Sequence, residues 1–120
     1  MTFYKQCFQA ELFLMPFSEA PGGLSHSERP DRILHSTLKK QSDILMAADI
    51  WSSQSYQPGN NVSVMIQSDD LEENERLFTA LAEGGKVTMP LQDMFWGARF
   101  GTLTDRFGIH WHFNCAIPKQ

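Results

Sequence analysis

Apolar positions between residues 70 and 85 recur at helical spacing. Leu71, Leu77, Phe78 and Leu81 form one stripe, and Glu72, Glu73, Glu75 and Glu83 form the wet side. Asp70 followed by Glu73 is a capping-box pattern, and acids in the first turn suit the helix dipole. Gly84-Gly85 predicts a left-handed stop. A second, shorter helix is predicted in Thr2 to Phe8, where Tyr4 and Phe8 share a face with Cys7 beside them.

The remaining apolar runs are strand-like. Glu11 to Phe17 has apolar residues on both faces, which predicts a strand covered on both, with Pro16 near its exit. Ile33 to Lys39 and Ile44 to Ala48 are joined by Lys40-Gln41-Ser42-Asp43 as a hairpin. Val62 to Gln67 alternates, and Val87 to Met89, Phe95 to Thr104 and Ile109 to Cys115 follow the long helix. The last two runs are joined by Asp105-Arg-Phe-Gly108, with Gly where a positive φ is needed. Residues 18 to 30 and Asp49 to Asn60 have loop chemistry, the second stretch carrying Trp51 and Tyr56.

The element order is helix, three strands, then strand, helix, three strands. The second half is a full βαβββ unit, and the first half repeats that order without its opening strand and most of its helix. The expected fold is α+β, a single domain of paired βαβββ modules forming a curved sheet around a cleft. The incomplete module spans 1–60 and the complete one 61–120.

Composition narrows the function classes. The chain has 120 residues, 42 % apolar and 20 % charged, which is globular composition for one domain. Ten basic against fourteen acidic residues give a charge of −4, which argues against nucleic-acid binding. Cys7 and Cys115 form no CxxC, and two reduced thiols are expected rather than an end-to-end disulfide. No apolar run approaches the about 20 residues of a membrane span, and no signal peptide opens the chain, so a soluble, cytoplasmic protein is expected.

Ala80-Leu-Ala-Glu-Gly-Gly-Lys-Val-Thr-Met-Pro90, Phe95-Trp-Gly-Ala-Arg-Phe-Gly101, Thr104-Asp-Arg-Phe-Gly108, and Trp111 with Asn114-Cys115 are distinctive stretches. They resemble the PhnB-like branch of the vicinal oxygen chelate superfamily, which includes glyoxalase I, the bleomycin-resistance proteins and the extradiol dioxygenases. Met1 to Phe8 with Leu12 to Pro16 is similar to the family's first helix and second strand. The resemblance implies that an opening strand ordinarily precedes this stretch. An unpaired strand edge is a template for association, so a homodimer is expected. Some PhnB-like proteins carry a demethylubiquinone methyltransferase label. This chain has no Gly-rich loop between strand and helix to hold S-adenosylmethionine, and that activity is not expected.

Strand alternation sorts the last run into Ile109, Trp111, Phe113 and Cys115 on one face, packed on the helix near Leu77 and Phe78, and His110, His112 and Asn114 on the other. The resemblance places His112 where glyoxalase-like members hold a metal with glutamate, and Ser63 where they use histidine. Met46 falls near a remaining ligand position and is a poor ligand for a hard ion. The metal reading therefore uses His112, His110 and Ser63, with zinc, nickel or manganese as the ion. The alternative is that both histidines are polar residues on a wetted face. His35 is a candidate for orienting a ligand or for proton transfer, because an unperturbed imidazole titrates near neutrality, against the alternative of a satisfied, half-buried strand histidine. Arg99 is a candidate for binding a carboxylate or phosphate, against an ion pair with Asp93 or Asp105 that locks the hairpin. Gly97 and Gly101 fall on the Arg99 face. Trp96, Asn114 and Met65 complete the candidate ligand site, although Trp96, Phe100 and Trp111 are also ordinary core residues. The first reading is a protein that binds a small organic molecule in a concave, aromatic-lined cleft. The second is a metal-dependent enzyme whose ion polarises a substrate oxygen.

Overall fold

The computed structural model describes residues 1–16, 32–49 and 57–117. The chain divides into two compact units, Met1–Gln57 and Pro58–Gln120. The loop read over 18–30, including His26, lies outside the described residues, as do Trp51 and Tyr56 of the second loop.

The first unit opens with helix α1 (Thr2–Phe8), which buries Tyr4 and Cys7. Gln9 closes it in the left-handed conformation at φ 54°. Strands β1 (Glu11–Pro16), β2 (Ile33–Lys40) and β3 (Ser42–Ala47) follow, as an antiparallel sheet in that order. Register places Leu12, Leu38 and Leu45 on one face and Phe13, Thr37 and Met46 on the other. Leu38 and Ser36 are buried, and the Ser36 hydroxyl donates to the Ala47 carbonyl at 2.7 Å. The hairpin is tighter than expected. Lys40 pairs with Ser42, and Gln41 alone turns the chain at φ 69°. The expectation that β1 is covered on both faces is corrected, since Phe13, Leu14 and Met15 are all exposed. The strand lies at the edge of its sheet with a register shift at Met15/Pro16, so its side chains have a neighbouring strand on one side only.

The second unit contains β4 (Val64–Ser68), α2 (Leu71–Ala82), β5 (Lys86–Met94), β6 (Ala98–Thr104) and β7 (His110–Ala116). The strand order is β4-β7-β6-β5, with β4 parallel to β7 and the other pairs antiparallel. This is the βαβββ unit read from the sequence. Helix α2 starts as expected, with Asp70 Oδ1 accepting from the Glu73 amide at 3.1 Å. Leu77, Phe78 and Leu81 are buried against the sheet, and Phe78 meets Phe113 edge-on at 5.2 Å. The helix stops before Gly84 at φ 78°. Arg106 donates from Nε and Nη2 to the Glu83 carbonyl, satisfying an orphan acceptor at the helix end. Gly85 passes so close to β6 that a Cβ there would lie 2.3 Å from the Thr104 carbonyl oxygen.

Both hairpins close in the same way. The Gly97 amide donates to the Met94 carbonyl, the Gly108 amide donates to the Asp105 carbonyl, and both glycines have φ above 80°. Two sequence expectations change here. Strand β5 runs on to Met94, past Pro90, and Phe95-Trp96-Gly97 is a turn, not the start of β6. Gly97 therefore does not share a strand face with Arg99, whereas Gly101 does.

Asp105 ties the second unit together. Its side chain is buried; Oδ1 accepts from the amides of Phe107 at 2.8 Å and Ile109 at 3.0 Å, and Oδ2 accepts from the Trp111 indole at 2.9 Å. Removing such a carboxylate leaves the buried Trp111 indole unsatisfied at about 1–3 kcal/mol and takes the acceptor from two part-buried amides at about 1 kcal/mol each. Asp105→Ala is expected to destabilise the protein by about 3 kcal/mol or more, read as a fall in the urea midpoint. A change within a few tenths of a kcal/mol would contradict this role.

Candidate functional site

The two faces of the β4-β7-β6-β5 sheet differ in chemistry. Trp111, Phe113 and Cys115 of β7 point to the α2 side and are buried, as alternation predicts, whereas Ile109, expected with them, precedes the strand and is exposed. His110, His112 and Asn114 point to the opposite, open face and are half-buried. Register brings Met65 of β4 beside His112, Thr102 of β6 on its other flank, and Phe100 beside Asn114.

The open face is aromatic. Phe95 packs edge-on against Trp96 at 5.1 Å, Trp96 against Phe100 at 5.7 Å, and Phe100 against His112 at 5.7 Å. Phe95 and Trp96, at the hairpin tip, are 95 % and 48 % exposed, so this row ends in solvent. The Trp96 indole donates to Asn114 Oδ1 at 3.2 Å. Thr88 and Thr102 share a 2.6 Å hydrogen bond on the same face. Met65, 51 % exposed, supplies a flexible apolar flank.

Of the predicted site residues, the structure brings together Trp96, Asn114, Met65, His112 and His110. Arg99 is placed elsewhere. It lies on the α2 face of β6, where Nε donates to Asp93 Oδ1 at 2.9 Å and Nη1 to Glu75 Oε1 at 3.3 Å. The bond to Asp93 and its negative charge raise the affinity of the guanidinium for its proton. This is the hairpin ion pair weighed in the sequence, with Asp93 as partner, and it extends to the helix. Gly101 beside it is required by close approach, because a Cβ would meet Leu91 Cδ2, Cα and N at 3.0–3.1 Å. His35 belongs to the first unit, exposed on β2, with a 3.0 Å hydrogen bond between its Nε2 and Thr37 Oγ1.

The metal reading rests on His112, His110 and Ser63. His110 Nε2 donates to the Gly59 carbonyl at 3.2 Å, and Nδ1 bonds Thr104 Oγ1 at 3.0 Å. With one nitrogen donating and the other accepting, neutral His110 keeps no lone pair for an ion. Met65, not Ser63, is level with His112, and exposed Ser63 lies two positions before it. No group of three or more His, Cys, Asp or Glu among the described residues is placed to hold a metal ion. The described donors therefore do not fit a structural or catalytic metal set.

The sequence reading set Phe100 aside as core and did not weigh Thr88 or Thr102. Their signal lies in register: with His112 on the open face, its cross-strand partner Thr102 and its diagonal neighbour Phe100 must be there too. It also missed Asn74, a polar residue on the buried stripe of α2, whose Oδ1 accepts from the Ser68 hydroxyl at 3.3 Å.

Residues 1–113 match the family described as Glyoxalase/Bleomycin resistance protein/Dioxygenase superfamily. The protein YjdN of Escherichia coli is 31 % identical over 131 residues, covering 100 % of this chain and 86 % of its own length. The crystal structure of PA1353 from Pseudomonas aeruginosa is 39 % identical, with a TM-score of 0.82 over 98 % of this chain and 86 % of that one. A PhnB protein from Bacillus cereus is 24 % identical, with a TM-score of 0.70 over 97 % of this chain and 88 % of its own, and shares the fold.

Arg99→Met removes the cation that joins the β5–β6 hairpin to α2. It is expected to lower the melting temperature, with the deficit shrinking in high salt as the wild-type pairs are screened. An unchanged melting temperature at low salt would contradict the assignment.

Proposed function

The chain belongs to the Glyoxalase/Bleomycin resistance protein/Dioxygenase superfamily, and from that premise we propose that it is a PhnB-like protein that binds a small organic molecule on the open face of its β4-β7-β6-β5 sheet. The observation that carries this reading is the row Trp96, Phe100 and His112, with Asn114 and Met65 beside it. Aromatic side chains left on a sheet face, with a few polar groups converging on them, suit a flat ligand that is stacked and oriented rather than held by charge. Trp96 is fixed by its bond to Asn114, so less of its freedom is lost when a ligand arrives. Cys7 and Cys115 are both buried, as thiols kept reduced in a cytoplasmic setting would be. No helix among the described residues is long and apolar enough to cross a membrane.

Trp96→Ala is expected to weaken binding of small aromatic compounds (indole, quinoline, naphthol) at least about tenfold, or about 1.4 kcal/mol, by ligand-observed NMR. Arg99→Met, on the other face, leaves that affinity unchanged. Equal losses in both variants, or none in either, would contradict the reading.

A homodimer is part of the same proposal. Phe13, Met15 and Met46 are exposed on one face of the β1-β2-β3 sheet, and a grouped apolar surface of this kind favours association. Light scattering at micromolar protein is expected to give twice the chain mass, and Phe13→Lys with Met46→Lys to give the monomer mass. A monomeric wild type would contradict it.

A further inference from the structure

Resting on the reading just given, we propose that the open face selects an uncharged aromatic carbonyl compound, whose oxygen accepts a hydrogen bond from the Asn114 side-chain amide. An indole N–H can only donate, so the bond from Trp96 Nε1 fixes the Asn114 carboxamide with Oδ1 toward the tryptophan. The Nδ2 group is thereby turned away from Trp96. It has no hydrogen bond with a described residue, and Asn114 is only half-buried on the open face, so two donors are offered beside the aromatic row. A group that only donates asks for an acceptor, and a carbonyl oxygen in the plane of an aromatic ring supplies one where the ring can stack on Trp96 and Phe100.

Charge decides the rest of the class. Arg99, the cation of the Phe95–Gly101 segment, is on the α2 face between Asp93 and Glu75. The Lys86 on this sheet pairs with Thr104, at the far end of the open face from Asn114. Among the described residues of this unit, Arg76 pairs with Glu73 and Arg106 caps the end of α2, so none of its arginines or lysines is placed to replace the hydration of a carboxylate or phosphate seated at Trp96 and Asn114. A neutral carbonyl needs only the amide donor. Asn114 is thus a specificity-determining residue, separating carbonyl compounds from bare hydrocarbons by its donor, while anions find no arginine or lysine partner among the described residues of this unit.

The test uses the whole protein and three probes of one shape: α-tetralone, tetralin and a tetralin carboxylate, with affinities read by protein-detected NMR titration. The wild type is expected to bind α-tetralone about tenfold more tightly than the other two. The Asn114 side-chain amide protons are expected to shift downfield with α-tetralone alone. Asn114→Asp keeps an acceptor for the Trp96 indole but removes the amide donor. It is expected to bring α-tetralone down to the level of tetralin while the Trp96 indole signal stays in place. Asn114→Leu, which carries no charge, is expected to do the same, and guards against an effect of the new carboxylate. Equal binding of α-tetralone and tetralin by the wild type, unaltered in both variants, overturns the carbonyl proposal and leaves the aromatic face standing. Tightest binding of the carboxylate overturns it too. Failure of all three probes to bind overturns the proposal together with the reading on which it rests.

Discussion

The second unit depends on one buried carboxylate. Asp105 stands where β6 ends, and its two oxygens hold the amides of Phe107 and Ile109 and the indole of Trp111. The buried indole and two part-buried amides are satisfied by a single side chain. The bonds fix the length of the turn as well as its shape, because the Asp105 amide also donates to the Ile109 carbonyl at 2.9 Å. A turn one residue longer or shorter would reverse the facing of every side chain on β7. Asp105 and Trp111 thereby decide that Phe113 and Cys115 go to the core and that His112 and Asn114 go to the open face.

The candidate face follows from that register. Once His112 and Asn114 point outward, pairing with β6 brings Thr102 and Phe100 beside them, and parallel pairing with β4 brings Met65. The β5–β6 hairpin adds its tip, Phe95 and Trp96, and the Trp96 indole locks onto Asn114. An ion-pair cluster gathers on the other side. Arg99 joins Asp93 to Glu75 against α2, and Arg106 caps the end of that helix. The face left over is aromatic and amide-bearing, a surface for stacking and hydrogen bonding.

Much of this was legible in the chain. The stripe of Leu77, Phe78 and Leu81, the Asp70 cap, the positive φ of Gly108 and the two faces of β7 all rest on local periodicity, and the structure has them so. What escaped needs partners distant in sequence. The role of Asp105 appears only when Trp111 is seen six residues on, across the turn. Phe100 read as core because an aromatic in an apolar run usually is, and only its register with Asn114 turns it outward. β5 continues through Pro90 because it is an edge strand, where a missing amide does no harm to the ladder. The coverage expected for β1 failed for a related reason, since apolar side chains on both faces of an edge strand do not require a cover for each face.

The proposed meeting of ligands with the open face of the β4-β7-β6-β5 sheet is tested by mapping amide chemical shifts while quinoline is added to isotope-labelled protein. The perturbed signals are expected to gather on Met65, Phe100, Thr102, His112 and Asn114 and on the Trp96 indole, with α2 and Arg99 unmoved. Perturbations centred on α2 and Arg99, or on the first unit alone, would contradict it.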